Sequence, residues 1–74
     1  MNTVARREPK HSWIVELENG TKAVLRVARL QGTDNGTDML HDVGVHYKAY
    51  LVHTTDAVNA IRLAYEVANR QAVA

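Results

Sequence analysis

From residue 12 onward the chain alternates apolar and polar positions with the period of a strand, and the alternation first breaks at Asn19-Gly20. Asn-Gly between two such runs predicts a β-hairpin, with strands over 12–17 and 21–30. A two-residue loop would set Leu17 opposite Lys22 and Trp13 opposite Arg26, mixing apolar and charged side chains on one face. A three-residue loop, with Gly20 as the left-handed residue of a bulge, sorts them better. It would set Val15 opposite Ala23, Trp13 opposite Leu25, and Glu16 opposite Lys22 as an ion pair. Ile14, Val24, Ala28 and Leu30 are then left among charges on the second face, which therefore needs a cover.

Downstream, residues 31–42 hold Gly32, Asp34, Asn35, Gly36 and Asp38 and read as a long polar loop, with Met39-Leu40 tucked under the sheet. Alternation resumes over 43–53, the third predicted strand. Val43, Val45, Tyr47, Ala49 and Leu51 would take its core face, and Gly44, His46, Lys48, Tyr50 and Val52 the other. Thr55 is then the expected N-cap of a helix that runs to about residue 71, with Asp56 at the positive end of its dipole. Asn59, Arg62, Glu66, Asn69 and Arg70 form one polar stripe, and Glu66 with Arg70 makes an i,i+4 pair. Ala57, Ile61, Ala64, Tyr65 and Ala68 lie opposite as the packing face. Leu63 and Val67 flank the stripe with Ala60, where they either touch the tucked loop or form a subunit contact.

The expected architecture is α+β: a three-stranded antiparallel sheet packed on one C-terminal helix, in the order β-β-β-α. Seventy-four residues hold one such domain over 12–74, preceded by a flexible basic arm over 1–11 that carries Arg6, Arg7, Lys10 and His11. A core this small is marginal without disulfides, metal or oligomerisation, and there is no cysteine. A net charge of +1 does not by itself call for nucleic acid or membrane. No apolar leader and no membrane-length run occurs, so a cytoplasmic protein without a membrane partner is expected.

Catalytic chemistry finds little support. Ser12, the only serine, falls within a strand, and no thiol is present. Asp38, His41 and Asp42 can be drawn together, but Asp and His are also ordinary loop residues. The loop fails as an EF-hand because Val45 stands where the bidentate glutamate belongs when Asp34 is counted first. His41, His46 and His53 lack a metal-site spacing on one element. We therefore expect no catalytic residue, no metal site and no cofactor. The outer sheet face is the better candidate: Ile14, Val24, Arg26, His46, Lys48 and Tyr50 combine apolar anchors with arginine and tyrosine, as protein-binding surfaces do. Leu63 and Val67 are the candidates for self-association into a homodimer.

Thr55, Ala57, Ala60, Ala64-Tyr65-Glu66 and Ala68 resemble the small-residue pattern and Ala-Tyr-acidic step in the helix of the plant AP2 domain and of integrase arm-type domains. The likeness covers about a quarter of the chain. It implies three strands and a packed helix, with DNA bound by basic residues of the outer sheet face, here Lys22, Arg26 and Lys48. In size and architecture the chain also resembles small phage-encoded inhibitors, anti-CRISPRs among them. The expected function is thus a non-enzymatic module that docks on a macromolecule, a protein before all. The competing expectation is a DNA-binding module that uses the same face and the basic arm.

Overall fold

The computed structural model describes residues 10–33 and 36–73, so the basic arm lies outside the described residues except for Lys10 and His11. Four strands precede one helix: β1 (His11–Glu18), β2 (Val24–Thr33), β3 (Met39–Val43), β4 (Tyr47–Thr54) and α1 (Ala57–Val73). All strand pairs are antiparallel, in the order β2-β1-β4-β3. Two hairpins therefore lie side by side, with their inner strands β1 and β4 paired along the middle. The α+β class and the C-terminal helix agree with the pattern in the sequence. The strand count does not: there are four strands, not three.

The extra strand comes from both sides of Gly44. Gly44 donates its N–H to the Tyr47 carbonyl at 2.8 Å, which closes a turn through Val45 and His46 and ends the predicted long third strand. Met39–Val43, expected to lie mostly in the loop, pairs with β4 instead. An added Cβ on Gly44 would collide with the Tyr47 ring, so any larger residue there must push that side chain aside. Asn19 ties the two hairpin ends together: its N–H donates to the His46 carbonyl at 2.9 Å and its Nδ2 to the Val45 carbonyl at 3.3 Å.

The first hairpin forms with a longer loop than expected. Glu18 donates its N–H to the Ala23 carbonyl, and Lys22 donates to the Glu18 carbonyl, which leaves Asn19 to Lys22 in the turn. Gly20 has positive φ (90°), as the turn chemistry required, and Lys22 has it too (63°). The register is Val15 opposite Val27, Glu16 opposite Arg26 and Trp13 opposite Arg29, which replaces the expected partners Ala23, Lys22 and Leu25. A bulge at Leu25 follows the Leu17–Val24 pair. That extra residue turns Val24 toward the helix side and leaves Arg26 and Ala28 on the other, which is why strict alternation across the strand misplaces Val24.

The core lies between β1, β4 and α1. Val15, Leu17, Tyr50 and Val52 are 0–2% exposed and meet Ala60, Ala64, Val67 and Ala68 of the helix. Three of those helical residues are alanines, which lets the helix axis come close to the sheet. The buried arc is rotated from the expected one: Ala60 and Val67 are at its centre, while Ile61 and Tyr65 are at its flank. The rotation lets the Tyr65 hydroxyl donate to the Lys22 carbonyl at 2.5 Å, and at the other end Trp13 Nε1 donates to the Thr54 carbonyl at 3.0 Å. Asp56, not Thr55, caps the helix: its Oδ1 accepts the Asn59 N–H at 2.8 Å. The exposed stripe is laced by Asn59, Arg62 and Glu66, with Arg62 Nη1 on Glu66 Oε2 at 2.6 Å as the i,i+4 pair.

Candidate functional site

Among the described residues the helix covers one face of the sheet and no element covers the other. In an antiparallel pair, directly opposed residues point to the same side, so the register fixes what the free face carries. Trp13, Val15 and Leu17 point to the helix with their partners Val52, Tyr50 and Lys48. The intervening residues point away. One cross-strand row is Ala28, Ile14, Leu51 and Met39, one residue from each of β2, β1, β4 and β3. It is wholly apolar. The next row is Arg26, Glu16, Ala49 and Asp42, and beyond it Glu18 stands opposite Tyr47.

Exposure along the apolar row is graded. Ala28, Ile14 and Leu51 are partly buried by their neighbours, while Met39 at the β3 edge is 46% exposed. In the charged row Arg26 Nη1 lies 3.4 Å from Glu16 Oε2, a loose contact with the arginine side chain 61% exposed. Asp42 is exposed at the opposite edge, where its Oδ1 accepts the Val43 N–H at 2.9 Å. The row thus carries positive charge at the β2 edge and negative charge at the β3 edge. On the far side of the apolar row, Ser12 and His53 are opposed and buried. Asp38 Oδ1 accepts the His53 N–H at 2.8 Å and lies 3.1 Å from its Nδ1, supplying a carboxylate just before β3 begins.

The predicted docking residues divide sharply between the two faces. Ile14 and Arg26 stand on the free face as expected. Tyr50 does not: it is 2% exposed within the core, where burial pushes its phenol pKa above the ordinary value. Lys48 is exposed but points to the helix side opposite Leu17, His46 sits in the second turn, and Val24 lies on the helix side at the β2 edge. Lys22, Arg26 and Lys48, the basic set implied by the DNA-binding resemblance, therefore do not share a face. Val67, expected with Leu63 at a subunit contact, is buried at 2%, and Leu63 packs partly buried against the core. Leu51, Met39, Tyr47, Ala49 and Asp42 escaped the sequence reading. The signal that could have found them is Gly44, read as a turn rather than as one step of a strand.

Asp38, His41 and Asp42 do not converge: Asp38 engages His53, His41 is the exposed extra residue of a bulge, and Asp42 bonds the next backbone N–H. Among the described residues no group of three or more His, Cys, Asp or Glu side chains is placed to hold a metal ion, and no helix is long and apolar enough to cross a membrane. Compared with known proteins, the chain matches no protein-family model, no curated protein and no solved structure.

Proposed function

We propose that this chain is a non-enzymatic binding module that docks on a protein surface through the helix-free face of its sheet. The observation that carries the reading is the unbroken apolar row Ala28–Ile14–Leu51–Met39 across all four strands, bordered by a charged row. Singly exposed apolar residues are ordinary, whereas a contiguous strip rimmed by charge is how docking surfaces are built. The charge on the face favours protein over DNA, because Arg26 is offset by Glu16 and Asp42 and offers phosphate little. A small inhibitor encoded by a phage or mobile element, such as an anti-CRISPR, acts in this manner, by occluding a partner's surface without chemistry of its own.

Affinity capture with the tagged, nuclease-treated protein tests the reading. A protein partner should stay bound from low to moderate salt, and both Leu51→Asp and the edge substitution Met39→Asp should release it while the circular dichroism spectrum is kept. Retention of nucleic acid that falls by orders of magnitude over the same salt range would support DNA binding instead. Capture indifferent to both substitutions would move the binding surface elsewhere.

A further inference from the structure

The two rows of the free face complement themselves. Consider two copies stacked face to face at the spacing of about 10 Å usual for packed sheets, related by a two-fold axis parallel to the strands and passing between β1 and β4. Such an axis exchanges the outer strands and keeps each row in place, so β2 of one copy lies over β3 of the other. In the apolar row, Ala28 then meets Met39, small against large, and Ile14 meets Leu51. In the charged row, Arg26 meets Asp42, and Glu16 meets Ala49, with no like charges opposed. An axis perpendicular to the strands would instead set Met39 on Met39 and Ala28 on Ala28 and leave both edge charges unmatched.

We propose that the helix-free face seats a second copy of this chain, forming a four-layer dimer with the sheets inside and the helices outside. This rests on the docking reading above and names its occupant. The loose Arg26–Glu16 contact leaves the guanidinium free to turn across the interface, and each Arg26–Asp42 pair occurs twice by symmetry. Four strands at about 4.8 Å spacing make a patch only roughly 20 Å wide, so the contact falls below the standard interface size of about 800 Å² per partner. The dimer is therefore weak and concentration-dependent.

Sedimentation equilibrium of the whole chain, from low micromolar to sub-millimolar concentration, tests this. The wild type should pass reversibly from monomer to dimer. Arg26→Asp and Asp42→Arg should each weaken dimerisation by roughly tenfold, since symmetry repeats each lost pair and the reversal adds repulsion. The double variant Arg26→Asp/Asp42→Arg should recover most of the loss, because it restores both pairs with their signs exchanged. Thermal melts of each variant show whether the fold persists, and Met39→Asp, at an exposed edge, should abolish the dimer without unfolding the monomer. A wild type that stays monomeric throughout overturns the proposal, as does a dimer in which the charge swap brings no rescue. A monomer that still captures a foreign protein through Leu51 and Met39 would overturn self-association and leave the docking reading standing. A dimer with the charge-swap rescue that captures nothing else would support the second copy as the occupant.

Discussion

The two faces of this sheet are built from the same four strands yet do different physical work. On the helix side, Val15, Leu17, Tyr50 and Val52 are shut from water by a helix rich in alanine. On the free side the corresponding residues are Ile14, Leu51, Ala28 and Met39, apolar but partly exposed, with a charged row directly beside them. The first arrangement excludes water to hold the fold, and among the described residues the second leaves its apolar row partly in water. On the proposed reading, stability and docking fall on opposite sides of one sheet, so substitutions should separate them.

The largest separation is expected from a matched pair of leucines. Leu17→Ala should lower unfolding stability by about 2–5 kcal/mol in denaturant titration, because a filled core site becomes a cavity. Leu51→Ala should cost about 1 kcal/mol, since its side chain already meets solvent in part. Equal losses would mean that the faces are energetically alike and would break the comparison.

Tyr65→Phe sharpens it from the helix side. The substitution keeps the ring at the core flank but removes the hydroxyl that bonds the Lys22 carbonyl, for an expected loss of about 0.5–1.5 kcal/mol by the same titration. Association should be untouched, as the contact lies on the covered face.

Acid should act on the fold through the helix cap. The Asn59 N–H bonded to Asp56, with the Asn59 and Thr55 side chains adding to it, holds the Asp56 carboxyl below its usual range. A folded-state pKa below the unfolded value contributes stability that is present above the unfolded pKa and is lost as pH falls through the folded one. Melting temperatures of wild type and Asp56→Asn, a neutral residue that also caps, should differ by a few degrees near neutrality and converge below about pH 4. A difference that persists in acid would remove the charge from the explanation.

The smallest effect on stability belongs to the charged row. Arg26→Ala should change unfolding stability by only about 0–1 kcal/mol, as an exposed pair contributes little. Its effect should appear in the salt dependence of association.

Local chemistry made much of this fold legible. The Asn-Gly turn with positive φ at Gly20, the inward set Trp13, Val15 and Leu17, and the alanine-rich helix after β4 all follow from short-range pattern. So do Ile14, Glu16 and Arg26 on one side of the first hairpin. The errors gather where one residue shifts phase. A single step decides which side every following strand residue faces, so reading through Gly44 as strand sent Tyr50 and Val52 to the wrong face, and the bulge at Leu25 did the same for Val24.

By itself, then, the sequence determined the class: one hairpin at Asn19-Gly20, a C-terminal helix with a small-residue face, and more apolar residues than one helix can cover. Tertiary structure decided the rest. Pairing β1 with β4 placed Tyr50 and Val52 beside Val15 and Trp13 under the helix, and recruiting Met39–Val43 as an edge strand completed the row from Ala28 to Met39. The first outcome depends on contacts between residues some 30 to 40 positions apart, such as Val15 with Tyr50, whose burial outweighs the strand phase that nearest neighbours suggest. The second is a hairpin between residues 5 to 12 positions apart, and it turns on breaking the strand at Gly44.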